Sequence, residues 1–189
     1  AGRGFVVQNI GFDDKQIKLN GYSVFRDAKL VGFIPIEESR GLTYISGRRP
    51  VWVYRLPGAG GFVTAEVELA SRDVKPSYRD GKVKFEVKLA FRATIQYKSG
   101  TSLFPLNEKN IKEYSDSLRR VLKSEVDAAI QLSQRQFRSD YMSFGEALRI
   151  AYPDEFEKMD WAAEYPKAEI ETEMSVDCAV SDKLDIEAS

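Results

Sequence analysis

Three pairs of adjacent acids, Asp13-Asp14, Glu37-Glu38 and Asp154-Glu155, are the residues best suited by type to chemistry. Two carboxyls can hydrolyse a glycoside, one protonating the leaving group while the other acts as base or nucleophile, but only when they face each other across a cleft. Adjacency in sequence does not provide that. Each pair also has a structural reading: Asp13-Asp14 sits in a polar stretch, and the other two fall in the first turns of short helices, where acids suit the positive end of the dipole. Glu169, Glu171 and Glu173 could offer oxygens to calcium. Acids two apart on a strand project in parallel, however, whereas calcium ligands converge from a loop with a glycine turn. Ser39 and Ser143 have neither an attendant base nor a nucleophile elbow. The chain has no histidine, which removes Ser-His-Asp and Cys-His catalysis and the commonest zinc ligand. Cys178 is the single cysteine; alone it builds neither an internal disulfide nor a metal site, and it reads as an inert thiol on an apolar strand face. No catalytic, metal-binding or cofactor-binding residue is assigned, and no cofactor is expected.

Two further stretches could bind anions. Leu56-Pro-Gly-Ala-Gly-Gly-Phe62 is glycine-rich, as phosphate loops are, but those lead into a helix whose amides face the phosphate. Here a strand precedes and a strand follows, and no Gly-Lys-Ser/Thr appears, so the stretch reads as a hairpin loop. Arg48-Arg49 before Pro50 is a short cationic signal. Trp52 and Trp161 could stack on a sugar or a base. No basic stripe accompanies them, and a net charge of −1 argues against nucleic acid, so they read as core.

The elements that must position these residues follow from periodicity. Gln16–Phe25 and Lys29–Ile34 form a hairpin about "RDA". Pro35 opens a short helix through "PIEESRGLTYI", stopped at Gly47. Val51–Arg55 is a strand. Phe62–Ser71 alternates, with Val63, Ala65, Val67 and Leu69 on one face. Asp80-Gly81 is a turn. Beyond it Val83, Phe85, Val87, Leu89, Phe91, Ala93 and Ile95 share one face and Lys82, Lys84, Glu86, Lys88 and Arg92 the other, until "KSGT" breaks the strand. Asn107 caps a helix reaching about Arg138, with Ile111, Tyr114, Leu118, Val121, Leu122, Ala129, Leu132 and Phe137 at three-to-four spacing. Ser143 and Glu146 form a capping box for "FGEALRIAY", and Pro153 opens another short helix. Ala168, Ile170, Thr172, Met174, Val176, Cys178 and Val180 share the apolar face of a last strand.

The outward faces of the long strands are acidic (62–71), basic (82–95) and acidic (167–180). Opposite charges attract across strands and like charges repel, so the basic strand should lie between the acidic ones. The fold expected is α+β: a mainly antiparallel β-sheet with one long helix and shorter helices packed on one face. No stretch approaches the roughly 18 to 20 apolar residues of a membrane span. The N-terminus lacks an apolar leader and an initiator Met. Residues 1–189 therefore read as a single domain of a longer chain, with 1–20 a lead-in from the preceding region and 181–189 a tail.

Several blocks in order resemble the C-terminal domain of the Ger(x)C family, the C subunits of nutrient germinant receptors in spore-forming bacteria. They are "GYSVFRDAKLVGFI", "EESRGL", "VKPSYRDGKVKFEVKL" and "QFRSDYMSFGEALRIAYPDEF", followed by Trp161 where the family often carries tryptophan. "FRATIQYKSG" and "LPGAGGF" depart from the family pattern. The resemblance implies that residues 1–189 are the C-terminal domain of a non-enzymatic subunit: a lipoprotein held by an N-terminal lipid anchor outside this sequence, on the outer surface of the spore's inner membrane. Its partners would be the receptor's A and B membrane subunits, with no nucleic acid involved, and which surface meets which subunit is left unassigned. A nutrient-binding module and a carboxylate-based hydrolase are the alternative readings.

Overall fold

The structure, a computed structural model, describes residues 4–13, 16–58, 61–100 and 107–181. Its strands divide between two sheets, where one was expected. The smaller contains β1 (Gly4–Asp13), β2 (Gln16–Arg26) and β3 (Lys29–Pro35), antiparallel and in that order. β1 was not expected as a strand, whereas β2 begins at Gln16, where the hairpin was expected to start. The larger has the order β4 (Trp52–Gly58), β5 (Gly61–Arg79), β6 (Lys82–Gly100), β7 (Glu169–Val180).

The glycine-rich stretch is a hairpin connection. Pro57 pairs with Phe62 and Gly58 with Gly61, and the two residues between lie outside the described set. Asp80 (φ 50°) and Gly81 (φ 74°) make the β5–β6 turn, both with the positive φ that a two-residue hairpin of matching twist requires. β6 runs on to Gly100, past the start of the "KSGT" break. All seven apolar positions of its alternating face are buried. It lies between β5 and β7, as the charge pattern requires. Lys84 reaches Glu171 (2.7 Å) and Glu169 (3.9 Å), Lys88 reaches Glu173 (2.9 Å), and Arg92 reaches Glu68 (3.4 Å). β7 pairs with β6 in parallel, which is possible because a long helical crossover joins them.

That crossover begins with α2 (Glu108–Gln131), capped where Asn107 Oδ1 accepts the Asn110 amide at 3.0 Å. It continues as a π-helical turn, Leu132–Phe137, ending at left-handed Arg138. Tyr114, Leu118, Leu122, Val126, Ala129 and Ile130 are buried beneath α2, whereas Val121, expected on that stripe, is surface-exposed at its margin. α2 runs antiparallel to β7 and seals its free edge: Ser115 Oγ donates to Val176 O (2.9 Å) and Lys123 Nζ to Thr172 O (3.4 Å). The segment 36–45 is a 3-10 turn followed by α1 (Arg40–Ile45), and Gly47 stops it at φ 73°. After α2 come α3 (Phe144–Ala151), α4 (Pro153–Glu157) and α5 (Trp161–Glu164).

One apolar core runs through both sheets and the helices. The inner face of the small sheet contributes Tyr22, Val24 and Ile34, and the Ser139 hydroxyl ties that sheet to the chain after α2 by donating to Phe25 O (2.9 Å).

Candidate functional site

Among the described residues the most buried acid is Asp140. Its carboxylate accepts hydrogen bonds from the Phe144 amide (3.0 Å), the Gly145 amide (2.6 Å) and the Trp161 indole N–H (3.0 Å). It thereby caps α3, the role expected of Ser143. Ser143 instead sits at φ 67° with no capping bond, and Glu146 pairs with Arg149 (2.6 Å) one turn along. The capping box fails because Ser143 takes a left-handed backbone, whereas a capping serine needs an extended one. Burial pushes the Asp140 carboxyl above its ordinary value, and the three donors partly offset this.

Asp140, Glu146 and Glu157 share the wall of a half-open cavity of about 530 Å³ with Arg149, Phe156 and Trp161. Glu155, Asp160 and Glu164 line a second, more open hollow of about 360 Å³ with Tyr78 and Lys158, so among the described residues acids gather around more than one hollow, against the expectation that they would not. Asp140 is held by its three donors and Glu146 is chelated by Arg149 (2.9 and 2.6 Å), so neither is poised for proton transfer. Of the adjacent acid pairs, only Glu155 reaches one of these hollows among the described residues. Glu37-Glu38 lies in the 3-10 turn before α1 and Asp154-Glu155 opens α4; Asp13-Asp14 falls outside the described side chains. Glu171 and Glu173 are spent on Lys84 and Lys88, and no group of three His, Cys, Asp or Glu is placed to hold a metal among the described residues. Cys178 is half-buried, and burial pushes its thiol up. Trp161 packs among Phe85, Phe156 and Tyr165, as core.

A second polar cluster lies between α1, α2 and β4. The Tyr54 hydroxyl donates to Glu125 Oε2 (2.6 Å) and lies 3.4 Å from the Tyr44 hydroxyl. Arg40 pairs with Glu125 (3.6 Å) and stacks over Trp52 and Tyr54. Trp52 Nε1 donates to Thr43 Oγ1 at 3.2 Å. Burial raises the Tyr44 phenol to about 12 and also lifts the Glu125 carboxyl, which Tyr54 and Arg40 pull partly back. Neither cluster was anticipated. The available signal for this one was an acid at position 125 on the apolar stripe of α2, between Leu122 and Ala129. Both clusters tie elements together and neither opens a free nucleophile, which makes them locks.

The family described as "Spore germination B3/GerAC like, C-terminal" matches residues 20–180. This chain belongs to that family. It is 19% identical over 160 residues to spore germination protein B3 of Bacillus subtilis (strain 168), covering 84% of this chain and 43% of that protein. It is 23% identical over 177 residues to spore germination protein A3 of the same organism, covering 91% and 47%. The crystal structure of the GerBC protein superimposes with a TM-score of 0.78 at 18% identity, over 94% of this chain and 57% of that one. The chain thus spans about half the length of the curated relatives it matches.

The blocks that carry the family resemblance are, in this structure, points of close approach. A side chain at Gly41 would collide with the Glu125 carbonyl of α2, one at Gly145 with the Trp161 indole, and one at Gly32 with the Phe137 ring. The Asp140–Phe144–Gly145 block and Trp161 form one assembly. What these residues leave uncovered is the small sheet. Phe5 stacks on Phe25 (4.9 Å between ring centres) on its outer face, where Phe5, Val7, Leu30 and Phe33 stay exposed.

Proposed function

We propose that this domain is a non-enzymatic assembly module of a germinant receptor C subunit. In the full-length protein it would be held by a lipid anchor at the outer surface of the spore's inner membrane, where it would meet the receptor's A and B membrane subunits during nutrient-triggered germination. One observation carries the reading: the family's motif residues are consumed in packing, while large apolar side chains are left open on the small sheet. Monomeric proteins rarely leave contiguous apolar surface of this kind unless it meets a partner. Among the described residues no helix is long and apolar enough to cross a membrane, which fits a domain that reaches its partners from the surface.

Affinity capture of the full-length protein from detergent-solubilised spore inner membranes tests this. Recovery of A and B subunits is expected, and recovery of neither would remove the reading. Titration calorimetry of amino acids and sugars against the 189-residue chain should show no saturable heat. A binding isotherm would shift the domain to a nutrient-binding module.

A further inference from the structure

Strands β1 and β2 continue beyond the core as a two-stranded ribbon. On the inner face of the small sheet, half-buried Val6 pairs with buried Val24, and exposed Gln8 with buried Tyr22. One step on, past a bulge, the same face carries Ile10 opposite Leu19 and Phe12 opposite Ile17. These four are uncovered: Phe12 is 76% exposed, Ile17 72% and Ile10 63%. Two cross-strand apolar pairs stacked on a projecting ribbon cost solubility and add nothing to this core.

A groove of about 310 Å³ adjoins the ribbon at Leu19, the one of the four that lines it, together with Tyr22, Ile36 and, from the connection between α1 and β4, Arg48, Arg49 and Val51. No acid lines it. Arg48 stacks over the Tyr22 ring at 5.3 Å, which holds its guanidinium at the rim, and Arg49 is exposed beside it. Among the described residues neither arginine forms an ion pair, whereas the lysines of β6 are matched to acids across the strands. These are the two arginines that the sequence singled out as a cationic signal, and the groove gives them a context.

We infer that this groove and the ribbon face that meets it at Leu19 dock an amphipathic polypeptide segment of a receptor partner, one that lays apolar side chains along Ile10, Phe12, Ile17 and Leu19 and presents a carboxylate to Arg48 and Arg49. The inference rests on the assembly reading above and locates its contact surface. Charge decides the occupant. A guanidinium fork with no internal acid favours a carboxylate-bearing partner. A second copy meeting the same surface about a two-fold axis would bring four arginines together, and the described lining of the groove offers them no acid. A lipid surface is flat and mostly anionic, whereas this site is concave and Phe12 is followed in sequence by Asp13-Asp14.

The test places a photo-crosslinking amino acid at Ile17 of the full-length protein in spore inner membranes, with and without Arg48→Glu and Arg49→Glu, and identifies adducts by mass spectrometry. An adduct with the A or B subunit, reduced at least ten-fold by the charge reversal while the unfolding midpoint of the 189-residue chain holds, is the expected result. An adduct with another polypeptide that depends equally on the arginines keeps the groove and removes the A and B assignment. Capture of A and B by the unmodified protein with no adduct at position 17 keeps the assembly reading and removes the groove. Adducts to lipid, to a second copy or to another part of the same chain, or adducts indifferent to the two arginines, overturn the inference.

Discussion

The two sheets treat their surfaces in opposite ways. The outer face of the large sheet is a ladder of opposed charges, and its β7 edge is sealed by Ser115 and Lys123 of α2. The small sheet leaves Phe5, Val7 and Phe33 open on one face and the four ribbon residues on the other. A sheet built only to be stable would resemble the first, because exposed apolar strands invite unwanted association. On the assembly reading proposed above, the contrast separates the work: both sheets share one core, and the small sheet's open faces are the surface offered to a partner.

The largest expected effect lies at the lock on the α3 side. Asp140→Ala leaves three donors without an acceptor, at about 1 to 3 kcal/mol for each buried group, and should lower the unfolding free energy by about 4 kcal/mol in urea denaturation. A loss below about 1 kcal/mol would mean that Asp140 is held for another purpose. Next is Gly41→Ala, which must push α1 off the Glu125 carbonyl of α2 and should cost about 2 to 3 kcal/mol. An unchanged midpoint would show that the helices tolerate separation.

Alkaline titration probes the same half of the molecule more gently. The folded Tyr44 phenol lies at about 12, above the ordinary 10.0, and burial also raises Tyr54, Tyr141 and Tyr165. A raised folded value contributes stability that is complete below pH 10 and is lost as pH climbs from 10 through about 12. Phenolate absorbance should therefore rise in two stages, the buried set ionising only as the circular dichroism of the fold collapses. A single stage near pH 10 with the fold intact would contradict this packing. Smallest is Lys88→Glu in the exposed ladder. It should shift the melting temperature only slightly downward, and the shift should fade as salt is added. A large, salt-independent loss would show that the ladder does more than keep strand order and solubility.

Much of the large sheet was legible because its signals are local. Strict alternation marked β6, and complementary charge placed it between β5 and β7. Charge could not give the direction of β7, since parallel and antiparallel neighbours satisfy a charge ladder equally well. The Asp140 lock was hidden because its parts, Asp140, Gly145 and Trp161, meet only across a left-handed residue. Ser143 and Glu146 have the spacing of a capping box, and that spacing was matched without the backbone it needs. β1 went unread as a strand because "GFVVQNIGFD" places apolar residues on both faces, so a period of two gives no contrast. That loss of contrast is itself the mark of a sheet with two apolar surfaces. The cluster at Glu125 needed α1, α2 and β4 to be placed together before an acid on an apolar stripe made sense.

The division of labour is tested most directly by one double substitution, Phe12→Ser with Ile17→Ser, in spores whose only copy of the full-length protein carries it. The 189-residue chain with these changes should unfold at an unaltered urea midpoint while nutrient-triggered germination is lost. Germination at the normal rate with the midpoint unaltered would show that the open ribbon serves no partner.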